Sequence, residues 1–370
     1  MIVIKNGLVL DSIKKEFIKK DILIEDNKIK DIGNINADCK IIDATDKYVI
    51  PSFIDIHTHG AKGVDFLNAT ISNSSKLLSH YIEHATKTIY ATTVTAPETQ
   101  ILSAIKNIKE ISKQSKINIE GVHVEGPFIS KNAPGCHKIS EIRLPTISEL
   151  DKICEAADGL KLRITVAPEI DGAECFIKEA VKRGINIGIG HSAADSETVK
   201  KAIFWGANVM IHLYNAMTPL HHRKPGCVGI GLSSDVFTEI ICDGHHVNPD
   251  VINLTYKIKG TDKLVLITDS MEATGMPNGK YSIGGIDVYM KDDIVTTENG
   301  TLAGSTLNML NSVKNLMQFA NAPLEDAIIC ASLTPAKVVG IDNITGSIEI
   351  GKRADISILD KDLLVSNSYM

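Results

Sequence analysis

The sequence predicts an α/β protein, a (β/α)8 TIM barrel carrying a small β-sandwich built from both chain termini. Three observations lead there. Eight Ile- and Val-rich segments alternate with amphipathic helical segments through the middle of the chain. The two ends switch to short strands separated by turn residues. Imidazoles and carboxylates recur where those middle strands end. Strands buried on both faces read as near-continuous apolar runs, and regular strand–helix alternation closes most simply into a parallel barrel.

The first segments are Ile2–Val9, Lys20–Glu25, Lys28–Ile32 and Lys40–Asp43, with Asn6-Gly7 and Asp26-Asn27 read as turns. They lack the apolar mass to stand alone. Barrel strands are expected at Val49–Ile56, Thr88–Val94, Asn118–Val124, Leu162–Ala167, Asn186–Gly190, Val209–Leu213, Thr238–Cys242 and Leu264–Thr268. Helices are expected at Ser75–Thr86, Glu98–Ser112, Thr146–Ala157, Ala173–Arg183 and Ser196–Trp205. Beyond the barrel, Gly346–Glu349 and Asp355–Leu359 return to strand grammar. The domain plan is therefore 1–50 and 345–370 for the small sandwich and 51–344 for the barrel. An open doubly wound sheet is the competitor, but no G-x-G-x-x-G follows an early strand.

Bulk properties exclude several classes. A composition of 44% apolar and 23% charged residues is ordinary for a soluble globular protein. A net charge of −6 with no long basic stripe argues against nucleic-acid binding. No apolar run approaches the ~20 residues of a bilayer span, and Met1–Gly7 lacks a signal peptide's apolar core. Seven scattered cysteines without a C-x-x-C pair fit a reduced, cytoplasmic protein.

Chemistry in such barrels sits at the C-terminal ends of the strands. Here those ends carry His57 and His59, then Glu125, His191, His212, the Asp243-Gly244-His245-His246 stretch, and Asp269. A lone strand-end histidine is usually a satisfied core or rim residue. Six strands delivering imidazole or carboxylate to one face is a different matter. His57 and His59 lie two apart on an extended segment and so project to one side. Nitrogen and oxygen donors without thiolates suit zinc, or iron and other divalent first-row metals. His123 fits a supporting or core position, and His80 and His84 read as solvated surface on a polar helix face. Cys136 and Cys242 are given no ligand role. The run His221-His222-Arg223-Lys224 is a dense positive cluster in an acidic chain, just beyond Asn215-Ala216-Met217, and a guanidinium there would pair a phosphate.

These motifs resemble the N-acetylglucosamine-6-phosphate deacetylases of the amidohydrolase superfamily. The stretches are Pro51-Ser52-Phe53-Ile54-Asp55-Ile56-His57-Thr58-His59-Gly60 and Gly121-Val122-His123-Val124-Glu125-Gly126-Pro127-Phe128. Gly190-His191-Ser192, His212-Leu213-Tyr214-Asn215-Ala216-Met217, Asp243-Gly244-His245-His246-Val247, Thr268-Asp269 and Thr301-Leu302-Ala303-Gly304-Ser305 follow in order. The resemblance implies that Glu125, His191 and His212 hold a catalytic metal and that Asp269 is the general acid/base. It implies that His246 touches the acetyl group or sugar, and that Asn215, Ala216 and Arg223 receive a phosphate, the arginine reaching across a homodimer interface. Cys136 would offer its backbone, and Leu302 would line the sugar. Some members lack the two first-motif histidines and keep one metal; with His57 and His59 retained, the resemblance implies one ion or two per subunit, the second bridged by Glu125. The family usually adds another strand pair beyond the position of Asp360, a departure at the edge of the small domain.

Hydrolysis of N-acetylglucosamine 6-phosphate is thus the expected reaction, with the galactosamine epimer or another N-acyl substrate as alternatives. Dihydroorotase-like relatives bridge two metals with a carboxylated lysine after strand four, but here that strand ends Val166-Ala167-Pro168-Glu169. A non-catalytic scaffold would be expected to have lost Asp269 or a ligand, and none is missing.

Overall fold

In the computed structural model, which describes residues 1–369, the chain opens with β1 (Ile2–Asp11), β2 (Glu16–Glu25), β3 (Lys28–Gly33), β4 (Lys40–Asp43) and β5 (Tyr48–Pro51). Asp26 and Asn27 link β2 to β3 with φ of 48° and 59°. Two successive left-handed residues make the turn whose twist suits a hairpin. Asn6-Gly7, expected as a turn, is instead an irregularity inside β1, where the β1–β2 register shifts between Ile4 and Gly7. A side chain on Gly7 would meet Val49 Cγ2 at 2.3 Å, so glycine serves close packing there.

The expected strand Val49–Ile56 is two strands. β5 belongs to the small sheet and β6 (Phe53–Thr58) opens the barrel. Between them Ser52 donates its N–H to the Asp355 carbonyl at 2.9 Å and its hydroxyl meets that of Ser357 at 2.8 Å. The backbone changes sheets at that point, which an apolar run does not reveal.

A small hairpin of β7 (Gly60–Ala61) and β8 (Val64–Asp65) precedes α1 (Ile71–Glu83). That helix starts before the expected Ser75, because Asn73 reaches back to the Thr70 N–H at 2.7 Å and caps it. The chain then alternates β9 (Thr86–Thr93), α2 (Glu98–Ser112), β10 (Asn118–Val124), α3 (Ile147–Ala157), β11 (Lys161–Val166), α4 (Ala173–Lys182), β12 (Asn186–Ile189) and α5 (Ser196–Trp205). It continues through β13 (Val209–Met210), α6 (Gly226–Ser233), β14 (Phe237–Ile241), α7 (Pro249–Lys263) and β15 (Leu264–Ile267). The eight barrel strands β6, β9, β10, β11, β12, β13, β14 and β15 pair in chain order, all parallel.

The seam between β6 and β15 is closed partly by side chains. Thr268 donates its hydroxyl to Asp55 Oδ2 at 2.5 Å, and the Asp269 N–H reaches the His57 carbonyl at 2.9 Å. Burial pushes Asp55 up to about 7, against the pull of the Thr268 hydrogen bond. Closure therefore ties together the two strand ends that carry His57 and Asp269.

After β15 comes an antiparallel meander that the expected elements omit: β16 (Gly279–Ile283), β17 (Ile286–Lys291) and β18 (Ile294–Thr297). Then follow α8 (Met309–Ala320), α9 (Leu324–Ala331), α10 (Leu333–Val338), β19 (Ile356–Leu359) and β20 (Val365–Tyr369). The small domain is one continuous seven-stranded sheet, ordered β20-β19-β5-β1-β2-β3 with β4 on β1. It curls over its own core of Ile4, Val9, Ile22, Ile24, Ile29, Val49, Ile356 and Ile358. Residues 346–349 are not a strand: Gly346 turns the chain with φ 91°, while Ile348 still enters that core. β20 pairs antiparallel with β19 and was not among the expected strands. Among the described residues, no helix is long and apolar enough to cross a membrane.

Candidate metal centre and active site

His57 lies on β6 and His59 follows its last residue, both essentially inaccessible to solvent. Glu125 follows β10 directly. His191, His212 and Asp269 each stand two residues past the end of β12, β13 and β15, with φ of 47°, 27° and 50°. Left-handed backbone costs a non-glycine residue roughly 1–3 kcal/mol and concentrates at functional sites.

The side chains converge on Glu125. Its Oε1 lies 2.9 Å from His212 Nε2, and 3.3 Å from both His191 Nε2 and His57 Nε2. Its Oε2 lies 3.1 Å from His59 Nε2. Asp269 Oδ1 completes the group, 3.1 Å from His59 Nε2 and 3.4 Å from His57 Nε2. Two overlapping groups of donors share Glu125: His57, His59 and Asp269 on one side, His191 and His212 on the other.

Donors bound to one ion at about 2.0–2.1 Å in a tetrahedral array stand about 3.3 Å apart. The observed spacings match that edge. His57 Nε2 is buried with no hydrogen-bond partner although two carboxylates face it, as does a nitrogen oriented toward a shared ion. Electrostatics agree. Burial alone would raise Glu125, but His57 and the other imidazoles hold it well below the usual carboxylate range. Burial opposes the charged form of His59 too, yet Asp269 and Glu125 lift it to about 9. Two buried carboxylates this close demand cations. A divalent ion held by these donors would supply that charge.

Several groups orient the donors. His191 Nδ1 donates to the Ala133 carbonyl at 3.1 Å, so its Nε2 faces Glu125. His57 Nδ1 meets Glu239 Oε2 at 3.3 Å, and Glu239 is ion-paired with Arg163 beneath it, both with no solvent exposure. Arg163 also donates to the Ile56 carbonyl at 3.0 Å and to Asn186 at 3.1 Å. His123 packs edge-on against His57 at 4.5 Å and meets the Thr165 hydroxyl at 2.7 Å. It supports the site from the core, as expected.

Sequence reasoning missed Glu239, Arg163 and His137. The first two had a signal: opposite charges inside strands buried on both faces must pair. His137, in the loop after β10, gave none; it meets Thr95 Oγ1 at 2.7 Å and lies 3.6 Å from Glu125 Oε2. Replacing Arg163 with Met is expected to cost about 3–5 kcal/mol of stability, because the buried Glu239 carboxylate would lose its charged partner on Oε1. A denaturation midpoint unchanged from wild type would show that the pair contributes nothing to the fold.

A cavity of about 620 Å³ opens above the cluster, lined by His59, Glu125, His191, His212, His246 and Asp269. Cys136, Asn215, Ala216 and Leu302 line it as well, so these predicted contact residues do gather at one place. Val94 and Ile283 add apolar wall, the latter from β16 of the unexpected meander. His246 Nδ1 is engaged by Asp243 Oδ2 at 2.6 Å, which leaves Nε2 for the cavity. Burial works against protonation of His246, but Asp243 outweighs it and raises its pKa. Arg223 stands apart. It is exposed, bonds His222 at 2.6 Å, and lines a second cavity of about 980 Å³. Cys242 is core. His80 corrects the sequence reading: it is buried, with only 4% of its surface exposed, because its helix face packs rather than meeting solvent.

A parallel barrel that gathers this donor set under a cavity defines a class, the barrel hydrolases that activate water with a divalent ion. Residues 48–370 match the family model described as "Amidohydrolase family". The chain is 38% identical over 326 residues to the N-acetylglucosamine-6-phosphate deacetylase of Vibrio furnissii, covering 87% of this chain and 81% of that protein. It is 36% identical over 323 residues to the N-acetylgalactosamine-6-phosphate deacetylase of Escherichia coli O157:H7, covering 86% and 85%. The crystal structure of the Pasteurella multocida N-acetylglucosamine-6-phosphate deacetylase shares 31% identity at a TM-score of 0.94, over 100% of this chain and 98% of that one. The chain belongs to the amidohydrolase family and, within it, to the N-acetylglucosamine-6-phosphate deacetylases.

Proposed function

We propose that this chain hydrolyses the acetamide of N-acetylglucosamine 6-phosphate, giving glucosamine 6-phosphate and acetate. One observation carries the reading: the Asp269 carboxylate faces the cavity at 3.1 Å from His59, inside the same cluster that Glu125 organises. Glu125, His191 and His212 would hold one ion, most simply zinc, with iron or another first-row metal also suited to the donors. His57 and His59 would share a second through Glu125. Such an ion lowers the pKa of water toward ~7 and polarises a carbonyl.

The chain's own groups do the rest. Asp269 takes the proton of the attacking water and returns it to the departing amine nitrogen, one residue serving both steps. His246, held by Asp243, donates from Nε2 to the carbonyl oxygen as charge develops there. Asn215 and Ala216 face the sugar phosphate, and Leu302 bounds the ring. Arg223, placed outside the cavity of its own chain, serves the phosphate of a partner subunit in a homodimer. Seven free cysteines fit a reducing cytoplasm, where phosphorylated sugars are made and used.

Arg223→Ala should lower kcat/KM on the phosphorylated sugar by roughly 10- to 150-fold, the worth of a charge-assisted contact of about 1.5–3 kcal/mol. A non-phosphorylated acetyl sugar, already a poor substrate, should be hydrolysed about equally by both proteins. Mixing Arg223→Ala with Asp269→Asn protein should restore activity, since one site of each mixed dimer then draws intact groups from two chains. Equal loss on both substrates would assign Arg223 to the fold. The Escherichia coli relative makes the galactosamine epimer the second reading. Comparing kcat/KM on the two epimers decides between them, and a preference for the galacto form would replace the substrate proposed here.

A further inference from the structure

We propose a second transition-metal site at the C-terminal turn of α1, formed by His80, Glu83 and His84 and sharing no residue with the barrel cluster. The spacing i, i+3, i+4 places all three side chains on one side of the helix. The two imidazole rings stand 4.4 Å apart, tilted by 46°, and each residue offers a donor atom within 4.8 Å of the others.

His84 Nδ1 donates to the His80 carbonyl at 2.7 Å. That fixes its tautomer and leaves the Nε2 lone pair for a ligand bond. His80 supplies the independent observation: it is 4% exposed, and its buried Nδ1 has no hydrogen-bond partner among the described residues. A buried polar atom left unsatisfied is costly.

The location also favours a cation. Glu83 and His84 lie at the carbonyl end of α1, where the helix dipole presents partial negative charge. Two imidazoles and a carboxylate without thiolate suit Zn²⁺, Ni²⁺ or Cu²⁺ rather than Mg²⁺ or Ca²⁺. An ion there would clamp the last turn of the helix. Tyr81, between the ligands, meets the Thr58 hydroxyl at 2.7 Å, and Thr58 sits between His57 and His59. The clamp would thus brace a strand end of the barrel cluster.

The test is Zn²⁺ titration of chelator-stripped protein, read by calorimetry and by elemental analysis after dialysis. Wild type should bind one equivalent more than His84→Ala, whatever number the barrel holds, with turnover of the metal-replete variant within about twofold of wild type. His191→Ala should keep the α1 equivalent while losing metal from the barrel. Glu83→Gln, which retains both imidazoles on an exposed position, should weaken that one binding step about tenfold. Equal stoichiometry in wild type and His84→Ala, or a Glu83→Gln titration superimposable on wild type, overturns the site. Loss of barrel metal in His84→Ala would overturn it too, by making His84 a structural support.

Discussion

Asp269→Asn is expected to leave the protein folded and its metal content unchanged while turnover falls by at least about 10²–10⁴-fold. The amide has the shape of the carboxylate and keeps the backbone contacts that fix it, the N–H to the His57 carbonyl and the carbonyl accepting from the Ser305 N–H at 2.8 Å. What it loses is basicity. His57 and His59 hold the Asp269 carboxyl below the usual range despite its burial, so the native group is ionised, the form a general base must start from. An amide can neither take that proton nor return it to the leaving nitrogen, and both halves of the reaction suffer. Circular dichroism and elemental analysis establish that fold and metal survive. Turnover within tenfold of wild type would remove Asp269 from the proton path.

His191→Ala and His212→Ala should each lose tightly bound metal, with activity falling to background. Both rings meet Glu125 Oε1 within 3.3 Å, and His191 and His212 approach each other to 3.1 Å through their Nε2 atoms. Removing either takes one donor from a compact group and leaves Glu125 less compensated in a buried site. Chelation of wild-type protein should reproduce the loss of activity, and added Zn²⁺ should reverse it for wild type but not for either variant. Full metal content and full rate in both variants would place the centre elsewhere.

Much of this fold and site is legible in the sequence. Parallel barrel strands announce themselves because burial on both faces demands uninterrupted Ile and Val, and Asn118–Val124 was read to the residue. The candidate donors are legible because an imidazole or carboxylate ending such a strand has few structural uses, and the fold brings them together. What escaped depended on tertiary context. The break at Ser52 is a change of sheet, invisible within a run of apolar residues. The strands of the β16–β18 meander are only four to six residues long, and the one clear alternation, buried Val288 and Met290 between exposed Asp287, Tyr289 and Lys291, is too brief to stand out. His80 was misjudged because the polar residues around it suggested solvent, whereas burial depends on what the helix packs against. Arg223 follows the site closely in sequence, but its loop carries it away from the cavity that Asn215 and Ala216 line.

The way the small sheet closes has a consequence during synthesis. Ser52, just past β5, and Ser357 on β19, whose hydroxyls meet, are 305 residues apart. At ~5–20 residues per second, β5 would wait on the order of 15–60 s for its partner to emerge. Through that interval one edge of a strand with buried Val49 and Ile50 stays open to any extended segment nearby. Ribosomes following one another on a single message would bring such edges close together. The hazard for this protein therefore lies in its first 50 residues, in pairing between nascent chains, and speeding delivery of Ile356–Leu359 would relieve it more than strengthening the barrel.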